Sequence, residues 1–206
     1  MHEVEIPQRK ERKFIGESFE LNSWGNVKPL IEELVKREIN NAQDLEKWFE
    51  DRSELESYLS EDMAWRYINM SKDTGSQEYQ KDYQFFVKDI QPHLSAYDDK
   101  LNKKALANPY LQEMKASGYP IMIRGMEKSV EIFREKNIDL STKIQTKQTE
   151  YQTVTGDMTV ELDGEEITLQ KAGLKLKSVH REQREEAWMK ISERRFRDIE
   201  GLDKLF

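Results

Sequence analysis

From Asn41 to Leu101 apolar residues return every three or four positions, and no other feature of the chain limits its fold as strongly. Leu45, Trp48, Leu55 and Leu59 form a first stripe, widened by Phe49, Tyr58, Met63 and Tyr67. Beyond the turn residues Asp73, Thr74, Gly75 and Ser76, a second stripe runs through Tyr79, Tyr83, Phe86, Val87, Ile90, Leu94, Tyr97 and Leu101. That spacing puts each set on one face of an α-helix. The first helix is expected from Asn41, a side chain suited to capping, with Asp44 in its first turn, to about Met70. The second runs to Asn108-Pro109 and is expected to kink at Pro92, which has no backbone N–H to give.

The same reading extends to the rest of the chain. Residues 1–22 form an extended lead-in, broken by Pro7 and Gly16, with Phe14, Ile15, Phe19 and Leu21 available to dock on a core. A helix over 23–38 carries Leu30, Ile31, Leu34 and Val35, and tolerates Pro29 only in its first turns. A short helical turn at 110–115 and a break at 118–120 precede a helix over 121–136, with Met122, Met126, Val130 and Phe133 on one face. Another helix is expected over 140–155, ending at Gly156. Alternating polar and apolar residues on both sides of Asp163-Gly164 predict a β-hairpin near 158–169. A short helix follows over 170–176, then a final one from Ser178 to Leu202, where Trp188, Ile191, Ile199 and Leu202 share a face with Arg184 and Arg195. The expected fold class is mainly α: long antiparallel helices with one β-hairpin, the lobe covering 23–206.

Composition excludes several functions. The formal net charge is -7 and the two signs are interspersed, so there is no concentrated basic surface for nucleic acid. No apolar run approaches the ~20 residues that span a bilayer, so no membrane partner is expected. With no Cys, disulfides, thiolate metal sites and a Cys nucleophile are excluded, and a cytoplasmic location is the expectation. A thermolysin-type zinc site needs two His one helical turn apart with a Glu between them. The three His here, His2, His93 and His180, are scattered. Gly125 and Gly173 stand singly inside helices, where close packing is the expected reason, and no phosphate loop is present.

Two polar features remain. In the helix over 140–155, Gln145, Gln148, Thr149 and Gln152 either line a wet peptide-binding cavity or belong to a polar helix packed along one narrow side. Arg52, Asp62, Arg66, Arg184 and Arg195 fall on or beside apolar stripes, where a buried charge needs a partner, so structural ion pairing is expected of them.

Four segments, in order, resemble the oligoendopeptidase F-type (thimet oligopeptidase-like) zinc metallopeptidases. Leu55 to Tyr67 resembles the family's second long helix, and Glu131 to Leu140, with Phe133, Arg134, Asn137 and Leu140, resembles a further segment of that family. Met158 to Gln170 looks like the family's hairpin, and Arg181 to Arg195 like the helix after it. At His180 the family tends to have a capping Asp, and Ser178 is expected to cap instead. The resemblance implies a helical N-terminal lobe forming one wall of a channel that admits short peptides. Zinc, the H-E-x-x-H helix and a further Glu ligand belong to a C-terminal catalytic domain absent from this chain, so no catalytic or metal residue carries over. The chain is thus expected to be inactive alone, to expose an apolar docking surface and to self-associate through it. The competing expectation is a stand-alone helical interaction module with a closed, polar surface.

Overall fold

The computed structural model describes residues 11–116 and 119–205. The chain is mainly helical with one two-stranded hairpin, and it divides into two compact units. The first draws on Met1–Trp65 and Lys88–Ile138, the second on Arg66–Val87 and Asp139–Phe206.

In the first unit, α1 (Trp24–Lys36) buries Val27, Ile31 and Leu34. Helix α2 (Ala42–Lys72) begins as expected: the Asn41 side chain accepts a hydrogen bond from the Asp44 N–H at 2.8 Å. Leu45, Trp48, Leu55 and Leu59 are buried, so the first stripe is the core face. The Trp48 indole N–H donates to the Leu34 carbonyl at 2.8 Å. Lys104, from α4 (Gln91–Leu106), donates to the carbonyls of Leu34 at 2.8 Å and Val35 at 2.9 Å, and to that of Arg37. A lysine thereby caps the end of α1, where carbonyls lack helical partners and favour a cation. Burial, with Arg37 nearby, pushes the Lys104 ammonium below its ordinary pKa.

The described part of the lead-in is tied down by one carboxylate. Glu54 accepts from the backbone N–H of Lys13, Phe14 and Ile15, each at 2.9 Å for its shortest contact. Ile15 and Leu21 are buried, and residues 1–10 of the expected lead-in, Pro7 among them, lie outside the described residues.

At the expected kink the helix changes type just before Pro92. Helix α3 (Gln77–Phe85) passes into a π turn, Phe86–Ile90, and α4 starts with Pro92 in its first turn. The wider turn absorbs the missing donor, and the first turn is where proline costs least. Helix α5 (Leu111–Ala116) leads to α6 (Pro120–Ile132), which packs on α4 and α5. The predicted end at residue 136 is four residues too late. Phe133 leaves the helical region, with ψ 132, so the buried face is Ile123 and Met126, and Met122 is exposed. A Cβ at Gly125 or Gly173 would meet nothing within 4 Å, so close packing explains neither glycine.

In the second unit, α7 (Asn137–Gly156) starts three residues before its expected position. Its last residue explains itself: a Cβ on Gly156 would lie 2.6 Å from Oγ1 of Thr74. Strands β1 (Thr159–Leu162) and β2 (Glu165–Thr168) pair antiparallel, Val160 opposite Ile167. Asp163 and Gly164 have φ of 55° and 79°, the left-handed pair a two-residue hairpin turn requires. The hairpin packs on α8 (Leu169–Lys175) and α9 (Arg181–Arg197), with Met158, Val160, Leu162, Leu169, Ala172, Ala187 and Ile191 as the core. The expected final stripe is therefore shifted. Ala187 and Ile191 carry it, while Trp188 is 59% exposed and Ile199 starts a separate α10 (Ile199–Asp203). Ser178 does not cap α9: its hydroxyl accepts from the His180 N–H and donates to Gln183.

Candidate functional site

The histidines do not converge. His93 stacks on Trp24 with centroids 4.7 Å apart, His180 precedes α9, and His2 lies outside the described residues. Among the described residues no group of three His, Cys, Asp or Glu could hold a metal ion. The donor set does not fit zinc, and no hydrolytic step is derived through one. Among those residues, too, no helix is long and apolar enough to cross a membrane.

The structure divides the four polar residues of α7. Thr149 is buried at 4% exposure, and its hydroxyl donates to its own helix at the Gln145 carbonyl, 3.0 Å away. Gln145 is half-buried, with an Oε1 that has no hydrogen-bond partner. Gln148 is exposed, and half-buried Gln152 donates to the Tyr67 hydroxyl at 3.5 Å. Gln148 and Gln152 share an open groove of about 680 Å³ with Ile144, Tyr151 and Leu205. Tyr151 also borders a second cavity, about 680 Å³, floored by Met158, Leu169 and Leu202 and rimmed by Arg195 and Phe196. Both volumes are within the range of ligand sites. Around them Ile144, Phe196 and Ile199 stand 58%, 69% and 44% exposed, an apolar surface on the second unit with no cover among the described residues.

The charged residues beside the stripes have different surroundings. Arg52 is buried, pairs with Glu56 at 2.6 Å, and lies over the Trp48 ring. Arg66 lies over the Phe85 ring and donates to the Asp82 carbonyl. Arg184 donates to the carbonyls of Ser178 and Val179, holding the loop before α9. Asp62 is half-buried, and Arg195 sits at the rim of the second unit's cavity.

A third cavity, about 590 Å³, lies in the first unit between α2, α4 and α6. Arg52 and Glu56 line it from α2, Asp98, Asp99 and Asn102 from α4, and Gly125 from α6. Asp98 is exposed, yet protein crowds its carboxyl. Burial first, then the charge of Glu56, pushes its carboxyl up to about 6, against the pull of Arg52. Asp99 pairs with Lys103 through one oxygen at 2.6 Å, and its other oxygen has no partner. Asn102 is 7% exposed, and its Oδ1 also has none. Sequence reading passes over these three residues. The available signal is position: Asp98 and Asn102 flank the stripe residues Tyr97 and Leu101 one helical turn apart.

Comparison with known proteins places the architecture. The structure matches that described as "PZ peptidase A with inhibitor 2" with a TM-score of 0.83 at 16% identity, over 94% of this chain and 34% of that one. It matches a putative oligoendopeptidase F with a TM-score of 0.84 at 18% identity, over 95% of this chain and 35% of that one. The chain thus spans about a third of the length of these peptidases. No curated protein matches its sequence. The model of the peptidase M3 N-terminal domain matches residues 16–133, more than half of the chain. The chain belongs to the peptidase M3 N-terminal domain family.

Proposed function

We propose that this chain is the non-catalytic N-terminal lobe of a zinc-dependent oligoendopeptidase and forms one wall of the channel that admits short peptides. The observation that carries the reading is coverage: nearly the whole chain superimposes on about a third of two peptidases, and residues 16–133 match a peptidase family's N-terminal domain. In this reading zinc and the residues that cleave the peptide bond lie outside the chain. Gln148 and Gln152, at the open groove of α7, are the wall residues that face the peptide.

The uncovered apolar surface formed by Ile144, Phe196 and Ile199 supports the lobe over a stand-alone module. Large exposed apolar side chains bordering two open cavities favour an interaction surface, whereas a self-sufficient module would carry a polar one. The catalytic domain is its proposed occupant, and in isolation the lobe self-associates there.

Two measurements test this. Incubated with zinc and a fluorogenic peptide, the chain alone gives no hydrolysis above background; turnover abolished by a chelator would overturn the non-catalytic role. In the gene, an open frame running past Phe206 into an H-E-x-x-H helix supports the lobe. A stop codon there overturns it in favour of the module.

A further inference from the structure

The open groove of the second unit is largely the work of one helix. Its α7 border consists of two neighbouring rows, Lys143, Lys147 and Tyr151 in one and Ile144, Gln148 and Gln152 in the other, and Leu205 completes it. Residues four apart share a helix face, so the rows run side by side for about 12 Å, eight rises of about 1.5 Å. Three or four residues of an extended peptide, at about 3.3 Å each, cover that length. One helix face and Leu205 leave the groove open along the helix axis.

Lysines alone would describe a solvated helix face. Here they continue directly into apolar surface: the row of Lys143 and Lys147 ends on the exposed ring of Tyr151, with Leu205 on the same groove. The charge is also one-sided. Lys143 and Lys147 line the groove and no carboxylate does, although the chain as a whole carries a net charge of -7. Lys143 has no polar partner among the described residues. Lys147 meets Glu150 at 3.0 Å, but both side chains are about half exposed, and such a surface pair yields readily to a competing carboxylate. The second row supplies the amides of Gln148 and Gln152, one turn apart, which can both donate and accept.

We propose that this groove selects extended peptides with an aspartate or glutamate two positions from a large apolar residue. Side chains two apart in an extended peptide share a face and lie about 6.6 Å from each other. One helical turn, about 6 Å, separates Lys147 from Tyr151, so the two spacings match. The carboxylate then lies by Lys143 and Lys147, the apolar side chain packs on Tyr151 and Leu205, and Gln148 and Gln152 bond the peptide backbone. Because the groove is open along its axis, a peptide passes along it, and the recognised charge belongs to a side chain and not to a chain terminus. The inference rests on the reading of this groove as a peptide-facing wall and names the class of peptide it takes.

The test titrates the chain with three peptides, followed by amide chemical shifts: acetyl-Glu-Ala-Phe amide, acetyl-Gln-Ala-Phe amide, and acetyl-Gln-Ala-Phe with a free C-terminus. The glutamate peptide is expected to saturate with a Kd on the order of 1 mM, moving the shifts of residues 143–152. The glutamine amide binds about fivefold more weakly, and raising salt to about 0.5 M removes most of that preference. Lys143→Gln combined with Lys147→Gln abolishes the preference and leaves the affinity for the glutamine amide unchanged. Tyr151→Ala weakens both amides about fivefold. All these side chains are exposed, so circular dichroism stays that of the wild type. Equal affinity for the glutamate and glutamine amides, tighter binding of the free acid than of the glutamate peptide, or no saturation by any of the three overturns the proposal. So does sedimentation showing a dimer that Tyr151→Ala dissociates while no peptide binds, because a second copy is then the occupant. Hydrolysis and the gene test the lobe itself, so a failed titration beside an inactive chain and an open frame removes the peptide class alone.

Discussion

Trp48 in the first unit and Thr149 in the second are both buried on helices, and each has one polar hydrogen to satisfy. Trp48 gives its N–H to the end of another helix, at Leu34. Thr149 gives its O–H to its own helix, one turn back, as do Thr146, Thr153 and Thr155. The first solution fixes a neighbour: α1 must end where the indole points. The second fixes nothing beyond its own turn, and it presents a methyl group outward from a residue counted as polar. Half-buried α7 therefore needs no run of Leu or Ile, and the first unit obtains specificity that the second unit's threonines do not provide.

The comparison breaks most visibly at Trp48. Trp48→Ala removes a fully buried ring and its tertiary hydrogen bond, and should cost about 3–5 kcal/mol in urea unfolding. A loss below about 1 kcal/mol would show that the first unit does not centre on it.

Glu54 sharpens the contrast, because it too works across a long stretch of chain. Burial raises its pKa, but the three N–H donors of Lys13, Phe14 and Ile15 more than offset this and hold it below the ordinary 4.5. Its contribution is present above that value and is lost as pH falls through the lower, folded-state pKa. Glu54→Ala should cost about 2 kcal/mol at neutral pH, and the gap to wild type should close as pH falls through the lowered folded-state pKa. A gap independent of pH would mean the carboxylate charge plays no part. The smallest effect belongs to Thr149→Val, which keeps the shape and removes only the self-directed hydroxyl. Its stability should stay within about 1 kcal/mol of wild type, and a larger loss would mean the hydroxyl serves a partner outside its own turn.

The same contrast explains what could be read from the chain. Leu45, Trp48, Leu55 and Leu59 announce a buried face by period, and Asp163-Gly164 announces a turn by backbone chemistry, so helix α2 and the hairpin were legible. Burial of Thr149 was not, because its methyl and its satisfied hydroxyl are invisible to a hydrophobic count. Trp188 misled in the other direction: its size suggests core, but the small Ala187 beside it is what lets α9 approach the hairpin. The cavity between α2, α4 and α6 needs three helices to meet, and no spacing within one helix encodes that.

The cap on α1 has a consequence for the timing of synthesis. The carbonyls of Leu34, Val35 and Arg37 lie 67 to 70 positions upstream of the lysine that holds them. At ordinary rates of chain elongation that interval lasts roughly 3 to 14 s. Throughout it the carbonyls of Val35 and Arg37 have only water to satisfy them, and the end of α1 depends on the Trp48 indole at Leu34. The helix nearest the start of the lobe is thus finished late, once α4 has arrived.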